Sequence, residues 1–299
     1  MTSNSCASAA LKIVVTGATG FIGGRLIAST KLRECELLPV IRSKEKAALL
    51  GIDKWILFQE LTQKSIVDAG FESSVIVHLI GSSRDEEGCS LRESIVATTE
   101  AVVTVARETR SKRVLYLSGY GITPDSSDAY FKSKAEAEKI IQDSGIPYTL
   151  FRPSYILGPG DELTPYLVQE LEKGSIEIPG DGSYRLQPVY VEDMVDIIIN
   201  AGHVTDNESY SYDILGPVIS LSGYVRMLAA RVAPQATFRY EKLETLIRRA
   251  TFSADPILTT GELAILICDL VGPVTESCLG VRIRSLEETL DGWINQTAS

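Results

Sequence analysis

Tyr130 and Lys134 stand four residues apart in AYFKSKAEAE, a segment of helical character, so a phenol and an ammonium fall on one helix face. A cation beside a phenol favours the phenolate and lowers its pKa. A tyrosine so placed can pass a proton at neutral pH while hydride moves to or from a nicotinamide. Y-x-x-x-K alone is usually a surface pair, and what precedes it gives it weight. In LKIVVTGATGFIGG, residues 11–24, a β-branched run breaks into Gly17-x-x-Gly20-x-x-Gly23 and then into a helix. Gly17 permits a turn that a Cβ would obstruct, Gly20 lets the chain approach a pyrophosphate, and Gly23 lets the new helix lie against the strand. The free amides and dipole of that helix start favour an anion.

These groups need a scaffold, and the chain spells one. Six apolar runs, 12–16, 36–41, 54–58, 74–80, 113–118 and 147–151, alternate with helical patterns, as successive βαβ units do. Right-handed crossovers wind them into one α/β, doubly wound parallel sheet of Rossmann type, whose ligands bind beyond the carboxyl ends of the strands. After Phe151 the pattern turns Gly/Pro-rich, with helices expected near 162–173 and 191–202 and one more strand at 211–215. The remainder reads as a small, mostly helical C-terminal lobe. The expected division is 1–151 with 189–217 for the dinucleotide-binding part and 152–188 with 218–299 for a substrate or partner lobe.

With 299 residues, 44% hydrophobic and 23% charged, the chain has room for this architecture. A net charge of −10 argues against a phosphate-coating surface, so nucleic acid is not an expected partner. Cys6, Cys35, Cys89, Cys268 and Cys278 show no C-x-x-C spacing, which points to reduced thiols in a cytoplasmic compartment rather than to zinc or a disulfide framework. The first ten residues lack a signal-peptide core and read as a frayed tail. The apolar stretch 256–272 is interrupted by Glu262 and Asp269 and is too short to cross a bilayer. It is expected as a buried or interfacial helix, with peripheral membrane contact as the alternative.

Arg42 follows the second strand, where an NAD-preferring enzyme usually presents a carboxylate to the adenosine ribose. A guanidinium there can grip a 2′-phosphate, which favours NADP(H) over NAD(H). Glu60 and Leu61 are candidates for the adenine, and Ile80, Gly81 and Ser82 leave a gap through which a nucleotide can pass. His78 and His203 suit neither a metal site nor a hydrolase, and His78 reads as a core residue. Asp161, Glu162, Glu192 and Asp193 read as helix caps, and Arg248, Arg249, Arg282 and Arg284 as surface ion-pairing residues.

TGATGFIGG, VHLIGSS, YLSGYG, AYFKSKAEAE, GIPYTLFRPSYILGPGD, LQPVYVEDM and LGVRIRSLEETLDGWI stand in the order of the short-chain dehydrogenase/reductase superfamily. The chain resembles its extended and atypical branches, the NAD-dependent epimerase/dehydratase-like members. It looks most like the subgroup with the nucleotide-binding accessory subunit of respiratory complex I, and is similar to coenzyme Q biosynthesis factors and NmrA-like proteins. The resemblance implies roles for Gly17, Thr19, Gly20, Phe21, Ile22 and Gly23 at the pyrophosphate and Arg42 at the adenosine. It also implies Tyr130 and Lys134 at the nicotinamide ribose, Pro153 at the nicotinamide face, and Ser118, Tyr130 and Lys134 as the catalytic set. Active relatives carry two or three hydroxyl residues after the fifth strand, whereas this chain has Ser118-Gly119-Tyr120, which puts turnover in question. Three functions are therefore expected as alternatives. They are an oxidoreductase for an apolar or quinone-like carbonyl or alcohol, an NADPH-holding scaffold of an electron-transfer or quinone-synthesis assembly, and an NmrA-like redox sensor.

Overall fold

A computed structural model describes residues 10–30, 35–49, 51, 53–81, 90–126, 128–252, 267 and 269–294. Each apolar run becomes a strand because its alternate side chains can be buried on both faces of one sheet. In β1 (Lys12–Thr16), Ile13 and Val15 enter one core cluster and Val14 the other. β2 (Glu36–Ile41), β3 (Ile56–Leu57), β4 (Val75–His78), β5 (Arg113–Leu117) and β6 (Tyr148–Pro153) follow. β3 is shorter than the expected run, because the chain coils into a 3-10 turn at Phe58–Glu60.

Between these strands lie α1 (Phe21–Thr30), α2 (Lys44–Leu49), α3 (Gln63–Asp68), α4 (Thr98–Glu108) and α5 (Ala129–Gln142), with a π-helical turn at Glu93–Ala97 leading into α4. Beyond β6 come β7 (Ile156–Leu157), α6 (Leu163–Glu172), β8 (Ser175–Pro179), β9 (Arg185–Leu186), β10 (Val189–Tyr190), α7 (Val191–Gly202) and β11 (Tyr210–Ile214). The chain continues through β12 (Ile219–Ser220), α8 (Leu221–Val232), β13 (Thr237–Glu241), α9 (Leu243–Phe252), β14 (Ser277–Cys278), β15 (Val281–Arg282) and α10 (Leu286–Thr289).

The main sheet has seven strands in the order β11-β6-β5-β4-β1-β2-β3, all paired in parallel. This is a Rossmann-type doubly wound sheet, and the winding reverses between β1 and β4, which opens a crevice at their carboxyl ends. Helices α1 and α7 cover one face and α4 with α5 the other. Register sets a row across the carboxyl edge, with Thr16 opposite His78 and His78 opposite Tyr116. A third apolar cluster joins α6, α8, α10 and the turn after it through Leu167, Leu171, Tyr224, Leu286, Leu290 and Trp293. Cys278, Val281 and Ile283, by contrast, pack on the main sheet's α1 and α7 side. Residues 1–9 and most of 256–272 lie outside the described residues, as do Cys6, Cys89 and Cys268. Among the described residues no helix is long and apolar enough to cross a membrane.

Candidate functional site at the carboxyl edge of the sheet

The glycine turn joins β1 to α1 as its spacing requires. Gly17 has φ +75°, and a Cβ there would lie 2.8 Å from the Leu79 carbonyl carbon, so only glycine lets the turn nest against the end of β4. Its carbonyl accepts from the amide of Gly20 at 3.0 Å. A Cβ on Gly23 would sit 2.2 Å from Gly17 O, so α1 closes against the turn itself rather than against the strand. Gly20 differs, being exposed, with only Gly17 O at 3.4 Å from an added Cβ. Phe21 packs its ring under Gly160, Thr19 is half-buried, and Ile22 is buried in the core.

Beyond β4, Ile80 is buried and Gly81 exposed, while Ser82 lies outside the described residues. Above β5 the structure brings the candidate catalytic groups together. Asp128 caps α5, its Oδ1 accepting from the amides of Tyr130 at 2.9 Å and Phe131 at 3.1 Å. One turn on, Lys134 reaches down to the sheet, 4% exposed, and donates Nζ–H to Leu117 O at 2.9 Å. Its ammonium lies 4.9 Å from the ring centroid of Tyr116 and 5.8 Å from that of Tyr130. A Cβ on Gly81 would come within 2.6 Å of Nζ, so this glycine is what admits the ammonium. Ser118 follows β5 directly, and its buried hydroxyl has no hydrogen-bond partner among the described residues. The Tyr116 hydroxyl is in the same condition.

The electrostatics depart from the simple expectation for a Tyr–Lys pair. Burial, reinforced by the Asp128 carboxylate, pushes the Tyr130 phenol up to about 12, where the spacing alone had promised a lowered value. The ammonium lies over the aromatic face and bonds to a backbone carbonyl, and this placement leaves desolvation of the phenolate dominant. Burial pushes Lys134 itself down to about 8, opposed by the carboxylate of Glu138 one turn further along α5. Glu138 is in turn gripped by Arg152 of β6, with Nε to Oε1 at 2.9 Å and Nη2 to Oε2 at 2.6 Å.

Beneath this cluster His78 is fully buried between two hydroxyls, Thr16 Oγ1 at 2.7 Å from Nδ1 and Thr99 Oγ1 at 3.0 Å from Nε2. Thr99 donates its own proton to Ile95 O at 2.7 Å, so Nε2 carries the imidazole hydrogen and Nδ1 accepts from Thr16. Burial and the Lys134 charge push His78 down to about 3, and it is a neutral core residue, as read from its apolar strand.

The loop after Ser118 is roofed by a later segment. Tyr120 donates its amide to Pro153 O at 2.8 Å, and a Cβ on Gly272 would lie 2.3 Å from the Tyr120 hydroxyl. Gln187, fully buried, holds Gly272 like a second peptide, accepting its amide at 2.7 Å and donating to its carbonyl at 3.0 Å. Asp269 receives Arg185 in a forked ion pair, with Nη2 to Oδ2 at 2.7 Å.

Of the residues expected at the adenosine, Arg42 is exposed just past β2 and Glu60 is exposed in the 3-10 turn, beside a half-buried Leu61. Pro153 ends β6, buried. The acidic caps divide. Asp161 holds the start of α6, accepting from Thr164 N at 2.7 Å and Gly158 N at 3.0 Å. Glu192 and Asp193 instead pair with Arg25 and Arg284, because α7 lies buried against α1 and β15, where a carboxylate needs a cation. Arg282 pairs with Glu288. Sequence spacing had not singled out Tyr116, Glu138, Arg152 or Gln187. Tyr116 is brought beside His78 by the register of β4 and β5, which no local spacing carries, and Gln187 left no signal either. Among the described residues no cluster of His, Cys, Asp or Glu suits a metal ion.

The NAD dependent epimerase/dehydratase family matches residues 13–212, and the chain belongs to that family, as the resemblance implied. It is 26% identical over 214 residues to the mitochondrial NADH dehydrogenase (ubiquinone) 1 alpha subcomplex subunit 9 of Arabidopsis thaliana, covering 68% of this chain and 53% of that protein. It is 29% identical over 220 residues to the 3beta-hydroxysteroid-dehydrogenase/decarboxylase isoform 1 of the same plant, covering 61% of this chain and 50% of the relative. The chain thus spans about half the length of these relatives. Among solved structures, UDP-glucuronic acid 4-epimerase of Bacillus cereus in complex with UDP-glucuronic acid and NAD superposes with a TM-score of 0.69, covering 96% of this chain and 99% of that one at 16% identity. At that identity the likeness is one of fold.

Proposed function

We propose that the chain is an oxidoreductase that holds a dinucleotide along the carboxyl edge of the sheet, NADP(H) in preference to NAD(H), and acts on a small apolar or quinone-like carbonyl compound or the matching alcohol. The observation that carries this reading is the convergence of Lys134, Tyr130, Ser118 and Gly81 at the rim of the crevice that Gly17 and Gly20 open. The residues fit such a cofactor. The open Cα face of Gly20 leaves room for a diphosphate, and the unpartnered Ser118 hydroxyl suits a polar atom of a bound molecule. Arg42 would hold the adenosine 2′-phosphate, and Lys134, with two N–H groups beyond the one given to Leu117 O, the nicotinamide ribose.

When bound, the dinucleotide supplies or takes up the hydride. The protein's part is proton handling. Tyr130, protonated at neutral pH, is set to donate its hydroxyl proton to a carbonyl oxygen and to take it back in the reverse direction. Ser118 hydrogen-bonds the same oxygen, and the Lys134 ammonium offsets the phenolate that remains. An apolar substrate is supported by Leu270 and Tyr120 in the roof beside Ser118, and by the likeness to a steroid dehydrogenase. The division into 1–151 with 189–217 and 152–188 with 218–299 is likewise proposed, with the separate cluster of α6, α8 and α10 as its support.

A second reading, a nucleotide-holding accessory protein of an electron-transfer assembly, is favoured by Gly119, where the family resemblance implies a further hydroxyl in active members, and by the likeness to a complex I subunit. Calorimetry with NADPH and NADH, followed by NADPH oxidation across a panel of quinones and aldehydes, tests both readings. Tighter NADPH binding, lost about tenfold in Arg42→Ala, supports the cofactor assignment. Absence of heat with either nucleotide at millimolar dose overturns it. Retained NADPH with no turnover selects the accessory reading.

A further inference from the structure

We propose that Tyr116 is a positioning residue: its ring is the floor on which the Lys134 ammonium rests, and the buried chain Thr16–His78–Thr99 locks that ring in place. The inference rests on the reading that Lys134 serves a bound dinucleotide, and it deepens that reading by adding the device that aims the ammonium.

A lysine carries its charge on four rotatable carbons, so one hydrogen bond to Leu117 O does not fix its direction. Gly81 closes off one side of Nζ, and the Tyr116 ring, with its centroid at 4.9 Å, lies against another. A ring face carries the negative lobe of the quadrupole, and a cation shielded from water is attracted to it strongly. Tyr116 cannot swing aside. It stacks on His78 at 5.4 Å between centroids with 29° between planes, and it is fully buried. His78 is fixed from both nitrogens by Thr16 and Thr99, and Thr99 is anchored to Ile95 O in the π-helical turn before α4. The column therefore runs from α4 through β4 and β5 to the ammonium on α5.

The imidazole is neutral, so no second positive charge lies beneath Lys134. Tyr116 offers Lys134 its ring face, and its hydroxyl makes no bond among the described residues. Among the described residues, the titratable and charged groups around Nζ are His78 on β4, Tyr116 on β5, and Tyr130 and Glu138 on α5, with Arg152 on β6 neutralising Glu138.

Replacing Tyr116 by phenylalanine and then by trifluoro- and pentafluorophenylalanine keeps the ring's shape while weakening and reversing its quadrupole. The readout is the titration midpoint of the Lys134 ammonium in the free protein, by NMR of labelled lysine side chains with Lys134→Met assigning the signal. A second readout is nucleotide affinity by calorimetry across pH. Tyr116→Phe is expected to keep the wild-type midpoint near 8. The pentafluoro ring is expected to lower the midpoint by about one pH unit and so to weaken nucleotide binding about twofold at pH 7 and about tenfold at pH 9, with the trifluoro ring between. A purely packing role leaves the midpoint where it is, while urea unfolding reports the small added volume of the fluorines, and an unchanged midpoint across the series overturns the proposal. If the wild type binds no nucleotide, the cofactor reading fails, and the midpoints still decide the role of Tyr116.

Discussion

A buried cation lies at each end of β5, Arg113 from the strand itself and Lys134 from α5, and the two are held in opposite ways. At its amino end Arg113, 1% exposed, donates to the carbonyls of Tyr148 at 3.0 Å, Glu208 at 2.8 Å and Asp206 at 3.0 Å. It also reaches Thr149 Oγ1 at 3.2 Å and Asp206 Oδ1 at 3.0 Å, and lies over the Tyr210 ring. Only its Nε lacks an acceptor among the described residues. At the carboxyl end Lys134 is almost as deeply buried, yet among the described residues it has one carbonyl and two aromatic faces, in the company of two hydroxyls without a partner there. A saturated cation ties strand to loop, whereas an undersatisfied one is kept at a cost to stability for something that arrives later. The amino edge of the sheet is therefore structural and the carboxyl edge is where ligand chemistry belongs.

The sharpest test of this contrast is removal of each cation. Arg113→Ala strips one partner from a buried network and is expected to lose about 3–5 kcal/mol in urea unfolding, while the folded fraction binds nucleotide normally. Lys134→Met is expected to do the reverse, raising stability by about 2 kcal/mol at pH 7 and abolishing nucleotide-dependent turnover. Lys134 titrates near 8 when folded against 10.5 when free, so below pH 8 the unfolded chain holds that proton more comfortably. Wild-type stability should accordingly climb as pH rises from about 8 towards 10.5, and the Met variant should lack that climb. A destabilised Lys134→Met would erase the distinction between the two ends.

The middle of the strand row offers a smaller, pH-resolved effect. His78 is held down to about 3 from 6.5, so below pH 6.5 the unfolded chain binds a proton that the folded one refuses. Stability is expected to fall as pH drops through this window, by about 2 kcal/mol between pH 6.5 and 5, above the range where most carboxylates titrate. Urea midpoints measured along that limb should slope for the wild type and flatten in His78→Gln. A flat wild-type limb would mean that the imidazole is not sealed beneath the site.

What could be read before the structure follows the same line. Local chemistry was legible. Three glycines at fixed spacing made the turn, β-branched runs made the strands, and Tyr130 and Lys134 met on one face because helical periodicity is a short-range fact. Properties that depend on register between distant segments were not. The Tyr130 pKa follows from burial and from the Asp128 cap, and no spacing rule shows how deeply a half-turn sinks. Glu192 and Asp193 carry every mark of helix-start acids, and they became ion pairs because α7 packs against residues far along the chain. His78 was readable as core from its apolar strand, but its use as a prop for Tyr116 needed the strand order.

Gly20 gives the finest division between fold and function, since at one residue the two demands separate. A Cβ there meets only Gly17 O at ordinary contact distance, whereas the same atom on Gly23 would collide with that carbonyl. Gly20→Ala is therefore expected to unfold within about 0.5 kcal/mol of the wild type, since it adds a methyl to an exposed helix start. The same methyl stands where the diphosphate must approach the backbone, and nucleotide affinity is expected to fall by about tenfold or more in calorimetry. If Gly20→Ala keeps full affinity, the open face of the turn is not the diphosphate seat. The carboxyl edge would then owe its unmatched groups to some other ligand.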